Sequence, residues 1–253
     1  MHVKISGLPV TTASFSEILR DMEQKISEKS RCNYISITNT ESMYHALRLK
    51  EHYRYIENAN HSLCDGVGVV IAGLAWGKLV PRRNGPILML KACEYGLDKG
   101  WRHFLYGGKE GVSELLETVL KKKFPKLDVV GTYSPPFRAL NDTEKKEITE
   151  KIKRTKPDIV WVGLGLVKQE AWIAEFLHEI NASWMVGVGA AFDYHAGTVP
   201  WAPKWIQAIG MEWLYRTIIQ PKLRIKRYVW SFQFMFESIF SAVFQRVTSI
   251  FRR

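Results

Sequence analysis

The sequence predicts an α/β protein: a mostly parallel sheet with flanking helices, followed by a helical C-terminal appendage. Three observations predict it. Between Arg102 and Gly189, short apolar runs rich in β-branched and aromatic residues alternate with amphipathic helical runs. That pattern implies repeated strand–helix–strand units with right-handed crossovers. Glycine turns, Gly107-Gly108 and Gly163-Leu164-Gly165, stand where two of those strands end. Beyond Pro203 the chain changes character, becoming aromatic and cationic. The expected division is therefore a core over residues 1–203 and an appendage over 204–253.

At 253 residues the chain is long enough to bury a sizeable core, and 46% hydrophobic with 24% charged residues excludes a disordered chain. Its three cysteines, Cys32, Cys64 and Cys93, lack metal-ligand spacing and give no disulfide framework, which fits a reduced, cytoplasmic setting. The N-terminus, MHVKISGLPV, has no apolar signal-peptide region. The net charge of +11 implies an anionic partner: nucleic acid, anionic lipid or a phosphorylated substrate. Distribution decides among them. From Arg216 to Arg253 eight cations face the single acid Glu237, so this tail holds a net +7 of the total. A nucleic-acid enzyme spreads its cations through the fold, so a membrane surface is favoured and nucleic acid is not expected.

Taken in order, His2–Val10 reads as a short strand, with Thr11 or Thr12 capping a helix to about Ser30. Cys32–Thr38 (CNYISIT) is β-rich and ends in Thr38-Asn39-Thr40-Glu41, polar residues at a strand end where ligands bind in open α/β sheets. Helix capping by Asn39 or Thr40 is the plain alternative. Asp65, between Cys64 and Gly66, precedes the apolar run Val67–Leu74; an ordinary Asp-Gly turn would explain it equally. Pro81–Pro86 (PRRNGP) is a basic loop that also reads as a solvated turn.

Arg102–Tyr106 is a strand, Val112–Phe124 an amphipathic helix, Leu127–Gly131 a strand and Asn141–Thr155 a charged helix. Asp158–Val162 and Lys168–Ile180 repeat the pattern. The glycine turns between them let backbone N–H groups approach a phosphate. Neither YGGKEG nor GLGLVK matches the dinucleotide-binding spacing, which disfavours a nicotinamide or flavin enzyme and leaves a nucleoside-diphosphate sugar open.

The stretch Val186–Arg227 ties the chain together: a buried strand, a small-residue turn presenting Asp193, the breaks at Pro200 and Pro203, a Trp-rich helix and a run of cations. Tyr228–Phe244 is too short and too interrupted by Gln233 and Glu237 to cross a membrane, which takes about 20 apolar residues. Its aromatics and cationic flank fit an interfacial helix. A core-packing or oligomer-forming helix is the alternative.

Six blocks of this sequence resemble the WecG/TagA/CpsF family of bacterial glycosyltransferases: TNTE (38–41), CDGVG (64–68), FLYGG (104–108), VGLGLVKQE (162–170), VGVGAAFDYHAG (186–197) and APKWIQAIGMEWLYR (202–216). They follow the family's order almost to Tyr228. The resemblance implies a Rossmann-like core with a membrane-binding C-terminal appendage that helps close the site. It implies an inverting transferase that uses a UDP-sugar, of the UDP-N-acetylmannosamine, mannosaminuronic acid or glucose type. The acceptor it implies is a polyprenyl-diphosphate-linked sugar at the cytoplasmic membrane face, in the assembly of envelope polysaccharide.

Carried over by position, Asp65 matches the proposed catalytic base, and Thr38 and Asn39 line the same pocket. Arg83 lies in the matching basic loop, and Gln169 and Asp193 match positions around the donor. Gly107, Gly108, Gly163 and Gly165 are expected to supply backbone donors. Arg216, Arg224 and Arg227 are expected to meet the departing diphosphate, lipid phosphates, or both. No metal-binding DxD-type motif is present, so no metal or other cofactor is expected. A homo-oligomer is compatible with the appendage. Two departures stand out: Leu166-Val167 where the family has a proline, and Trp201 where it has an arginine. They leave the donor open, with a xanthan-type glucosyltransferase as the nearest alternative. A non-catalytic nucleotide-binding scaffold is the alternative from another class.

Overall fold

The computed structural model describes residues 2–251; Arg252 and Arg253, two of the tail cations, lie outside the described residues. In chain order the elements are β1 (His2–Ile5), β2 (Leu8–Thr11), α1 (Phe15–Ser27), β3 (Asn33–Thr38), α2 (Thr40–Ala46), α3 (Lys50–Glu57), β4 (His61–Cys64), α4 (Val67–Ala75) and α5 (Gly85–Gly96). There follow β5 (Arg102–Gly107), α6 (Val112–Lys123), β6 (Asp128–Tyr133), α7 (Asp142–Thr155), β7 (Ile159–Gly163), α8 (Lys168–Phe176), β8 (Trp184–Gly187), α9 (Ala191–Ala196), α10 (Lys204–Ala208), α11 (Glu212–Ile219) and α12 (Pro221–Phe251). The main sheet has the order β4-β3-β8-β7-β5-β6, and β3–β8, β8–β7, β7–β5 and β5–β6 all pair in parallel. This is the predicted α/β fold.

Two local expectations are corrected. His2–Val10 is not one strand but an antiparallel hairpin in which Ile5 pairs with Leu8. Ser6 and Gly7 turn it, both at positive φ (50° and 84°), as a two-residue hairpin turn requires. The cap of α1 is Ser14, not Thr11 or Thr12. Ser14 and Glu17 form a reciprocal capping box, whereas Thr11 belongs to β2 and its hydroxyl accepts from the Ser62 N–H at 2.9 Å.

The chain divides into two compact units. The first joins Met1–Ala13, Ile37–Asn84 and Ala202–Arg253, so the C-terminal helices share it with the hairpin and α2–α4. Its core takes Ile5, Leu8, Val10, Ile56, Leu63 and Val69. Helix α12 packs on α2 and α4. Phe234 and Ala242 are buried there, and Ser238 Oγ meets Trp76 Nε1 at 3.0 Å and Ser6 Oγ at 2.8 Å. Glu41 receives Arg227, Glu237 receives Arg48, and Trp230 packs against Tyr44 and His45. The core-packing reading of Tyr228–Phe244 therefore holds for one face of the helix. The opposite face is bare.

The second unit comprises Ser14–Ser36 and Gly85–Trp201. Here β5–β8 carry Phe104, Trp161, Trp184 and Val160 inward, and Trp184 Nε1 donates to the Met22 carbonyl at 3.2 Å. Because β5, β7 and β8 run parallel, their C-terminal ends share one edge. The backbones crowd there: a Cβ on Gly107 (φ 133°) would lie 2.6 Å from the Gly163 backbone.

That crowding separates two glycines with unusual φ. Gly111 (φ 79°) has nothing within 4 Å of its notional Cβ. Gly111→Ala should lose only the left-handed conformational term of about 1–2 kcal/mol, lowering Tm by a few degrees. Gly107→Ala must also part β5 from β7 and should lower Tm at least twice as far. Thermal melting of the two variants side by side tests this; equal shifts would mean the strand ends yield freely.

Candidate active site

In the first unit the site is built on Asp65. β4 ends at Cys64, the Asp65 N–H donates to the Thr38 carbonyl at 2.9 Å, and Gly66 (φ 93°) swings the chain into α4. The carboxylate thus stands, half-buried, at a strand–helix junction. Burial raises its proton affinity above the ordinary carboxylate range, and the charges of Arg82 and then Arg216 pull it back. A carboxylate so placed is a stronger base than one in water. This geometry is not that of a solvated Asp-Gly turn.

The neighbouring residues hold Asp65 rather than compete with it. Thr38 is fully buried, its hydroxyl 2.8 Å from Ser62 Oγ and its carbonyl engaged by Asp65. Asn39 caps α2, accepting from the Ser42 N–H at 2.9 Å. The basic loop, for which a solvated turn was the alternative, is pinned: Arg83 donates its backbone N–H to the Cys64 carbonyl at 2.7 Å and its Nε to Ala13 O at 3.0 Å. Arg82, which sequence reasoning passed over in favour of its neighbour, donates to the Gln207 carbonyl and pairs with Glu212. Its only sequence signal was membership of the same basic loop.

The tail arginines divide. Arg216, on α11, acts on Asp65. Arg227, expected to meet a diphosphate, instead gives Nε and Nη2 to the carboxylate of Glu41 at 2.7–2.8 Å. Arg224, three residues earlier on α12, is half-buried. Glu41 was visible in the TNTE block but its partner was not, because the two residues stand 186 positions apart.

In the second unit the strand-end turns carry the candidates. Gly107 (φ 133°) and Gly108 (φ 77°) close β5, but the Gly108 N–H, expected to face a ligand, donates to Gly163 O at 3.0 Å. Gly163 ends β7, where Phe192 covers it, and Gly165 (φ 83°) has open space beside it. Gln169 is buried; its Oε1 accepts from the Gly189 N–H at 2.9 Å and its Nε2 donates to Glu170 at 3.1 Å. It therefore sets the loop after β8 that leads to Asp193. Asp193 is half-exposed on α9 and accepts from Thr198 at 3.1 Å. Trp201 stacks on Tyr194, with centroids 5.4 Å apart, and meets the edge of His195. Val167, in the turn that lacks the proline, sits at φ 70°, ψ −45°, a strained conformation for a β-branched residue. Among the described residues no group of three or more His, Cys, Asp or Glu side chains is placed to hold a metal ion.

The chain matches proteins of known activity over most of its length. It is 27% identical over 218 residues to the N-acetylglucosaminyldiphosphoundecaprenol N-acetyl-beta-D-mannosaminyltransferase of Bacillus subtilis (strain 168), covering 86% of this chain and 83% of that one. Proteins of the same name from Bacillus spizizenii and Staphylococcus aureus are 28% identical over 232 residues and 25% over 222, with coverage of 89% and 87% of this chain and 88% and 85% of theirs. The pattern of the glycosyl transferase WecG/TagA/CpsF family matches residues 3–248. With Asp65 at its strand–helix junction and the strand-end turns in place along that match, this chain belongs to the WecG/TagA/CpsF family of glycosyltransferases.

Proposed function

We propose that the protein transfers an N-acetylmannosamine-type sugar from its UDP conjugate to a polyprenyl-diphosphate-linked sugar, with inversion, in cell-envelope polysaccharide assembly. The observation that carries this reading is the half-buried carboxylate of Asp65 at a strand end, acted on by Arg82 and Arg216. Asp65 takes the proton of the acceptor hydroxyl as that oxygen attacks the anomeric carbon from the face opposite UDP. The new C–O bond forms as the bond to the β-phosphate oxygen breaks. One base and one displacement give inversion. Arg216 and Arg224 receive the negative charge that gathers on the departing diphosphate. Asn39 and Arg83 belong with Asp65 to the first unit, and within the second unit Gln169 braces the loop that leads to Asp193. The reaction so drawn needs no metal. The relatives' printed names support the sugar and the lipid-linked acceptor.

The reaction's acceptor lies in a membrane, and the bare face of α12 supports peripheral attachment at the cytoplasmic leaflet. Phe232, Phe236, Phe240 and Phe244 recur every four residues, and the last three stack in sequence with centroids 6.4 Å apart. Phe236 is 74% exposed and Phe240 64%. Lys222, Arg224 and Lys226 stand at the start of the same helix. Among the described residues no helix is long and apolar enough to cross a membrane. The arrangement suits a helix lying in an anionic headgroup layer.

Two outcomes are expected. Wild type should release UDP from UDP-N-acetylmannosamine only when a polyprenyl-diphosphate-N-acetylglucosamine analogue is present, with EDTA making no difference, and Asp65→Asn should lower that rate at least 100-fold. Because the Asp65 pKa is raised on folding, the stability it contributes is lost as pH rises through the folded value; Asp65→Asn should therefore melt higher than wild type at neutral pH. UDP release unaffected by Asp65→Asn would remove it as the base, and preference for UDP-glucose would move the enzyme to the glucosyl branch.

Replacing Phe236, Phe240 and Phe244 together with serine should weaken binding to phosphatidylglycerol vesicles more than 100-fold, at roughly 1.5 kcal/mol or more per buried ring. Secondary structure should be kept, since these residues are outside the packed face. Unchanged vesicle binding, with a concentration-dependent loss of self-association instead, would assign that face to a second copy of the chain.

A further inference from the structure

Of the two arginines that act on Asp65, one is held in place by a residue that has had no part in the reaction. Arg82 lies in the strap Pro81–Asn84, which the Arg83 N–H fixes to the Cys64 carbonyl beside Asp65. From there Arg82 Nη1 donates to the Gln207 carbonyl at 2.6 Å, just before the end of α10, and Nη2 pairs with Glu212, the first residue of α11. The Arg82 and Glu212 side chains are only 23% and 17% exposed, so this pair is screened far less than a surface ion pair. Arg216 stands four residues after Glu212, one helical turn along the same face. Helix α11 therefore brings one cation to Asp65 directly and supplies the anchor of the other.

We infer that Glu212 is a positioning residue: it fixes the Arg82 guanidinium beside Asp65 and so ties the docking of α10 and α11 to the readiness of the base. The inference rests on the reading of Asp65 as that base. Without the Glu212 carboxylate, Arg82 keeps only one anchor and turns its charge toward water, where its field at Asp65 weakens. Among the described residues Arg216 from α11 also acts on Asp65, and Arg83 of the strap acts on the adjoining Cys64 thiol. Burial pushes that thiol up to about 12, so it stays neutral through the range in which Asp65 titrates.

The sign of the effect separates positioning from simple charge removal. Deleting a negative charge near a carboxylate lowers its proton affinity, whereas releasing a cation raises it. The test is a 13C-carboxylate NMR titration of the full chain, with the Asp65 signal identified by its absence in Asp65→Asn. Arg82→Gln should move the Asp65 midpoint to higher pH. Glu212→Gln should move it in the same direction by a smaller step, and Glu212→Asp should largely restore it. The double variant should lie close to Arg82→Gln alone, because the shift seen in Glu212→Gln runs through Arg82. The acid limb of the transfer rate should shift with these midpoints, while KM for the UDP-sugar changes little.

A downward or absent shift in Glu212→Gln, or additive shifts in the double variant, would overturn the positioning role. Should Glu212→Gln not fold, as melting would show, the smaller upward shift expected of Glu212→Asp carries the same decision. Asp65→Asn that keeps full activity would overturn the base and leave the Arg82–Glu212 result standing, so the two failures are distinguishable.

Discussion

The constraint on which the first unit depends is the placement of a carboxylate where water cannot fully solvate it. Burial raises the proton affinity of Asp65 above the ordinary carboxylate range. Two arginines offset this, and they come from different parts of the sequence: Arg82 from the loop after α4, Arg216 from the helix that begins at Glu212. The electrostatic setting of this short strand end is thus fixed in part by a segment more than 100 positions later in the chain. The same C-terminal segment is grouped with the hairpin and α2–α4, on which α12 packs, although they lie at opposite ends of the chain.

Helix α12 meets two demands with one sequence. Toward the protein it places Phe234, Ser238 and Ala242, and small hydroxyl-bearing positions allow close approach: Ser238 joins Trp76 of the α4 end to Ser6 of the hairpin turn. Close packing also explains Gly68, whose notional Cβ would fall 2.5 Å from Thr40. Away from the protein the helix places its phenylalanine ladder, which packing inside this chain does not use. The pair Arg227–Glu41 ties the start of the helix to the first turn of α2, two residues after Asn39, which caps it. A cation spent on such an anchor is not available to a phosphate, which is why charge counting overestimates the binding capacity of the tail.

The alternation of strands and helices from Arg102 to Gly189 was legible because each run carries its own period and its own glycine stop. Asp65, Asn39 and Arg216 were legible because local signals or a family block marked them. Other features were hidden for physical reasons. The hairpin turn at Ser6-Gly7 carries no Asn-Gly or Asp-Gly signal, so two four-residue strands read as one. The strand His61–Cys64 is too short to show a period. Gln169 looked like a ligand contact, yet its amide closes on Gly189 and Glu170, a role that only the fold of the β8 loop reveals. Arg82 and Glu212 meet across 130 positions, and no local pattern reports such a pair.

The second unit shows the same economy in backbone form. At the ends of β5 and β7 the chains approach so closely that only glycine fits at Gly107, and the Gly108 N–H is used to join them. Hydrogen-bond donors for a ligand must then come from beyond that first contact, from the turn after Gly163. There the backbone is strained rather than relaxed: Val167 holds a positive φ that a β-branched side chain disfavours by about 1–3 kcal/mol. Such strain persists only where the surroundings impose it, and here they do. The Ala171 N–H is bonded to the Val167 carbonyl, and Gln169, two residues on, is locked into the β8 loop. The turn that lacks a proline is thus shaped by the helix that follows it.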